Sequence, residues 1–109
     1  MNKYNICICG GGNISHALAG MLSYNGNNIN ILTRQPEKWS KNITVKTPTE
    51  EYEGRIDNVS NDAKDVIPSC DIIILSVPIF GINDILSKIK PYLTKKMSLI
   101  GIPGRLYSQ

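Results

Sequence analysis

The chain has 109 residues, enough for one domain with a modest core and too few for most two-domain enzymes. A hydrophobic content of 41% with 19% charge fits a globular soluble chain. The net charge of +3 would help attract an anionic ligand, but no basic run suggests nucleic acid or an acidic membrane, and no apolar stretch is long enough to span a bilayer.

The start, Met1-Asn2-Lys3-Tyr4-Asn5, leads into only four apolar residues, too few for a signal-peptide core, so a cytoplasmic protein is expected. Those four, Ile6-Cys7-Ile8-Cys9, read as a strand covered on both faces, as in a parallel sheet. A glycine cluster, Gly10-Gly11-Gly12, follows, and then an amphipathic helix from about Asn13 to Tyr24. Ile14, Ala17, Leu18, Met21 and Leu22 fall on one face at helical spacing, which makes them the expected core-facing stripe. The helix stops at Asn25-Gly26-Asn27-Asn28, a run of turn formers.

Ile29-Asn30-Ile31-Leu32-Thr33 reads as the second strand. Pro36 then sits near the first turn of a short helix, where its missing N–H does no harm, and Trp39 is expected to close one edge of the core. Ile43 to Thr47 alternates like a strand with one exposed face, and Tyr52 to Val59 is expected to return as its partner in an inserted β-hairpin. Asn61-Asp62 supplies an N-cap for a short helix ending before Pro68. Asp71 to Pro78 is β-branched and uninterrupted, so a central buried strand is expected, ending at Pro78 because proline cannot donate to a ladder. Ile82, Ile85, Leu86, Ile89 and Leu93 mark the buried stripe of another helix, and Met97 to Gly101 is a further strand that ends at Ile102-Pro103-Gly104. Alternating strands and helices with these crossover lengths argue a doubly wound, mostly parallel α/β sheet over residues 1–109.

Three cysteines, Cys7, Cys9 and Cys70, lie in or beside strand-like runs. Cys7 and Cys9 are spaced too tightly for an ordinary disulfide across neighbouring strands, and His16 is the only histidine. Reduced cysteines acting as small core side chains are expected, with no metal site.

In an open α/β sheet ligands bind outside the carboxyl ends of the strands, at the point where strand order reverses. Three such ends can be read. At the first, Gly10 permits a tight turn and Gly12 lets a phosphate approach the backbone, while the free N–H groups of Asn13 and Ile14 and the helix dipole stabilise negative charge. The third small position of this dinucleotide motif is Ser15; a glycine turn that merely links two elements is the plainer alternative. At the second end, the acid that would bind both ribose hydroxyls of NAD is missing, and the strand closes on Leu32-Thr33-Arg34. Arg34 can pair with a 2′-phosphate and Thr33 can bond the same group, which favours NADP(H), with NAD(H) as the alternative. Arg34 could instead be a solvated residue after a strand, or stack on adenine. At the third end, Val77 and Pro78 would meet the nicotinamide ribose and ring, or simply stop the strand.

The run ICICGGGNISHALAG, the strand and turn CDIIILSVPIFGI and the late SLIGIPG resemble the N-terminal domain of the octopine/nopaline (opine) dehydrogenase family, over nearly the whole chain. The chain is also similar to the wider group containing glycerol-3-phosphate dehydrogenase and ketopantoate reductase. The resemblance implies a Rossmann-like NAD(P)-binding fold and an oxidoreductase acting on CH–NH bonds, which condenses an amino acid with a 2-oxo acid using hydride from NAD(P)H. It carries cofactor binding onto Gly10, Gly12, Asn13, Ile14, Thr33, Arg34, Val77 and Pro78. It also implies that the catalytic histidine and its acidic partner lie in a helical C-terminal domain beyond position 109. His16 does not match that histidine; a pyrophosphate contact or helix capping suits it better.

No catalytic residue is therefore assigned within the chain, which reads as a truncated cofactor domain needing a further domain to engage its small-molecule substrate. Losing that domain would bare apolar surface near the end of the chain, which would support homo-oligomers. Two other readings remain at this level: a free-standing nucleotide-sensing module, and a truncated Rossmann-like product without activity.

Overall fold

The computed structural model describes residues 3–102 and the backbone of residues 105–106. In chain order the elements are β1 (Asn5–Cys9), α1 (Asn13–Tyr24), β2 (Asn28–Leu32), β3 (Asn42–Lys46), β4 (Glu51–Arg55), β5 (Asn58–Ser60), α2 (Ala63–Val66), β6 (Ile72–Leu75), α3 (Ile82–Ile89), β7 (Ser98–Gly101) and β8 (Arg105–Leu106). Short 3₁₀ turns at Pro36–Lys38, Ile79–Gly81 and Lys90–Tyr92 link them. The turn expected at Pro103-Gly104 and the tail from Tyr107 to Gln109 lie outside the described residues.

The main sheet runs β5-β2-β1-β6-β7, all parallel, with β8 antiparallel on the β7 edge. Among these parallel strands the order is third, second, first, fourth, fifth, the doubly wound arrangement of dinucleotide-binding folds. Successive side chains of a strand point to opposite faces, and β1 shows the consequence. Ile6 and Ile8 face one core with Ile29, Ile31, Ile74, Ala19 and Trp39. Cys7 and Cys9 face the other, with Leu32, Ile73, Leu75, Val66, Ile67 and Ile89. The apolar run at both faces is thus the signature of a central strand buried from both sides. Each fully buried Ile or Leu contributes about 1.5–3 kcal/mol relative to exposure.

The short helices follow their local chemistry. The carboxylate of Asp62 caps α2 by accepting from the Lys64 N–H at 3.1 Å, as its position before the helix implies. Pro36 opens its 3₁₀ turn, and Ile82, Ile85, Leu86 and Leu93 pack with buried Ile89 against the cysteine-side core.

All three cysteines are reduced and buried. Asn30, the polar residue inside β2, is satisfied there: its Nδ2 donates to Cys70 Sγ at 3.6 Å and its Oδ1 accepts from Asn58 Nδ2 at 2.8 Å. The Cys7 thiol is pushed up by its bond to Cys70, then by Cys9 and by burial, because ionising it would forfeit the hydrogen bond. Cys70 is lowered, first by that same bond from Cys7.

Two expectations are corrected. In α1 the residues turned inward are Ser15, Ala19 and Gly20, with Leu18 and Leu22 partly buried, whereas Ile14 is 59% and Met21 45% exposed. The expected return strand is also divided. Only β4 pairs with β3, as a separate two-stranded antiparallel sheet, while β5 joins β2 in parallel.

Both corrections share a cause. The hairpin lies on α1 beside the main sheet and so claims a second stripe of that helix. Gly54 of β4 meets Gly20 of α1 backbone to backbone, and a Cβ at Gly54 would strike Ser23 Oγ and lie 2.6 Å from the Gly20 carbonyl. Ser23 Oγ fastens the same contact by accepting from the Arg55 N–H at 3.0 Å and donating to the Gly20 carbonyl at 3.1 Å. Gly54→Ala is expected to destabilise the chain by about 1–3 kcal/mol, the usual cost of overpacking. Urea unfolding measures this, and an unchanged midpoint would show that the hairpin shifts freely on α1.

Candidate functional site

The three carboxyl ends read from the sequence converge on one cleft. The ladder runs on past each strand and pins the loops that follow. Gly10 N–H donates to the Leu32 carbonyl at 2.9 Å, Thr33 N–H to Ser60 at 3.0 Å, and Ser76 N–H to Cys9 at 2.9 Å. The open cleft between these loops has a volume of about 730 Å³, within the usual range for small-molecule sites. Gly10, Gly12, Thr33, Arg34, Val77 and Pro78 all line it. Asn13 and Ile14 do not; they stand beside it as the exposed first turn of α1.

Each glycine has its own reason. Gly10 has φ +136°, a conformation that side-chain-bearing residues rarely adopt, and a Cβ there would collide with the Ser76 carbonyl. A Cβ on Gly11 would come within 2.8 Å of Thr33 Oγ1. At Gly12 a Cβ would meet nothing within 4 Å. That space lies open at the helix N-terminus, where a phosphate would need it.

The end of α1 has the electrostatics of an anion site. No side chain caps it and no acidic residue occupies its first turn. Its leading N–H groups have no intrahelical acceptor, and the helix dipole places partial positive charge there. Arg34 adds a full positive charge to the cleft lining and forms no ion pair among the described residues. Open space at Gly12, uncapped N–H groups and a first turn free of acidic residues together fit a dinucleotide pyrophosphate.

Several lining residues were not assigned to the site from the sequence. Gln35 and Asn61 enter from the loops after β2 and β5, Phe80 from the turn after Pro78, and Asp84 and Lys88 from α3. Phe80, 90% exposed, could have been found by the rule that loops at strand ends carry ligands, since it follows Pro78 just past the end of β6. Asp84 and Lys88 form an i,i+4 ion pair at 3.7 Å, which by itself reads as an ordinary solvated helix face.

His16 lies outside the lining and stacks on Trp39 at a centroid distance of 3.7 Å. Trp39 is buried in the α1-side core, the edge-closing place expected for it. Away from the cleft, Tyr52 donates to the Glu50 carboxylate, which raises its phenol above the ordinary value. Among the described residues no group of three or more His, Cys, Asp or Glu is placed to hold a metal, and no helix is long and apolar enough to cross a membrane.

Ser15, at the third small position of the motif, has no hydrogen-bond partner for its fully buried Oγ among the described residues. Leaving such a group unpaired is costly. Ser15→Ala should therefore stabilise the chain by about 1 kcal/mol, whereas Gly10→Ala should destabilise it by about 2–3 kcal/mol through strain and collision. Chemical denaturation of the pair decides both; a destabilised Ser15→Ala would mean that the hydroxyl has a partner.

Comparison with known proteins gives a consistent result. Residues 5–102 match the family described as NADP oxidoreductase coenzyme F420-dependent. Octopine dehydrogenase from Pecten maximus is 30% identical over 114 residues, covering 92% of this chain and 29% of that protein. A structure of octopine dehydrogenase with NADH and L-arginine superposes with a TM-score of 0.82 at 27% identity, over 96% of this chain and 29% of that one. A ketopantoate reductase from Ralstonia eutropha shares the fold, with a TM-score of 0.74 at 18% identity, over 90% of this chain and 33% of that one. The chain spans about 30% of the length of the dehydrogenases it matches.

Proposed function

Because the chain belongs to the family described as NADP oxidoreductase coenzyme F420-dependent, we propose that its NAD(P)-binding domain serves an opine-type dehydrogenase. In that reaction an amino acid and a 2-oxo acid are condensed reductively, and the bound dinucleotide supplies the hydride. The observation that carries the reading is the open space at Gly12 in front of an uncapped helix N-terminus, at the point where strand order reverses.

The residues of this chain bind and orient. Gly12 and the first-turn N–H groups of Asn13 and Ile14 take the pyrophosphate. Gly10 holds the turn against Ser76, so the first and third strand ends keep a constant separation. Thr33 and Arg34 take the adenosine end, and Val77 and Pro78 offer apolar surface to the nicotinamide half. Chemistry on the second substrate is assigned to residues of a further domain, as the chain's share of its relatives' length supports. A nucleotide-sensing role for the domain alone is the competing reading; the dehydrogenase relatives favour the enzyme.

Between the two dinucleotides, Arg34 favours NADP(H). A guanidinium pairs with a 2′-phosphate, and no acid stands at the end of β2 to receive ribose hydroxyls, the nearest being Glu37. The octopine dehydrogenase neighbour was solved with NADH, so the preference for NADPH rests on the Leu32-Thr33-Arg34 strand end of this chain. In calorimetric titrations NADPH should bind more tightly than NADH. Arg34→Ala should weaken NADPH about 10- to 100-fold, the worth of a charged hydrogen-bonded pair, and leave NADH nearly unchanged. Equal affinities in the unsubstituted chain would remove that role from Arg34. Gly12→Val should abolish binding of both while preserving the melting transition, since a Cβ at this position meets no protein atom within 4 Å; retained affinity would place the pyrophosphate elsewhere.

A further inference from the structure

His16 is held in two ways. Its Nδ1 lies 3.0 Å from the Gly12 carbonyl oxygen, and its ring stacks on Trp39 with an interplanar angle of 11°. A carbonyl can only accept, so Nδ1 carries the proton. The same oxygen also accepts the His16 backbone N–H at 3.1 Å, so a single residue supplies both of its bonds, one from its backbone and one from its ring.

This second bond has a directional consequence. The peptide linking Gly12 to Asn13 is planar and trans, so its C=O and N–H point in opposite directions. Drawing the Gly12 carbonyl back along α1 aims the Asn13 N–H outward from the helix N-terminus, and a Cβ at Gly12 would meet no protein atom within 4 Å. Trp39 stops the imidazole from turning away. It follows the loop that carries Thr33 and Arg34, and its Nε1 lies 3.8 Å from the position of a Cβ on Gly11. The stack therefore ties the pyrophosphate turn to the wall that faces the adenosine end.

We infer that His16 is a positioning residue for dinucleotide binding, which locks the Gly12–Asn13 peptide through Nδ1–H while Trp39 holds the ring. It acts through the backbone and performs no proton transfer. The inference rests on the dinucleotide reading above and adds a residue outside the cleft lining to it.

The bond and the stack can be separated. His16→Asn places an amide N–H where Nδ1 stood and loses the stack; His16→Phe keeps a flat ring on Trp39 and loses the bond. Affinities for NADPH and NADH are measured by calorimetry, with the melting temperature read in parallel. His16→Phe should weaken both dinucleotides equally, by about three- to ten-fold, because the pyrophosphate is common to them. His16→Asn should return to within about two-fold of the unsubstituted chain even though its melting temperature falls further. Unchanged affinity in His16→Phe, or affinity that falls in step with melting temperature in both variants, would overturn the role. An unsubstituted chain that binds neither dinucleotide would overturn the dinucleotide reading itself, and this inference with it.

Discussion

The approach of Gly10 to the Ser76 carbonyl is the contact on which the cleft depends. β1 and β6 are neighbours in register from Ile6 and Ile72 to Cys9 and Leu75, and there the chain must leave the sheet in two directions. A side chain on residue 10 would push the two exits apart. Without one, Gly10 adopts a positive φ, its N–H reaches Leu32, and Ser76 N–H reaches Cys9. The cleft is thus framed by backbone already fixed by the sheet, so a ligand meets a preorganised frame that loses little entropy on binding.

The polar residues buried in the domain divide by how well they are satisfied. Asn30 and Cys70 close a small network between β2, β5 and the start of β6, with donors matched to acceptors. Ser15 has a hydroxyl in a similarly dry place without a partner. The difference follows from position. Asn30 lies between Cys70 and Asn58, whose side chains offer polar groups, whereas Ser15 lies beside the glycine turn with no partner in reach among the described residues.

Much of the architecture was legible along the chain. The strand, glycine turn and helix could be read from residues 6–24 because each signal there is local: an apolar run, a turn former, a helical period. The cap at Asp62 and the stripe of α3 were legible for the same reason. The burial of Ile14 and Met21 was not. Periodicity tells which residues share a face, and the neighbour that covers that face is chosen by contacts distant in sequence. Here the hairpin claims the side of α1 bearing Gly20, and the sheet takes the side bearing Ser15 and Ala19. Ile14 and Met21 are left facing outward.

By itself the sequence determined the doubly wound class, the position of the glycine turn and the residue types at three strand ends, since these depend on backbone preferences and on spacing within one element or two. Only the tertiary structure decided that Asn58–Ser60 pairs with β2 and not with the hairpin, and that Phe80, Asp84 and Lys88 share a cleft with Gly12. It alone brought His16 onto Trp39, 23 positions away. Strand partnership and ring stacking are settled by closing long loops around a common core, and no local preference encodes the outcome of that closure.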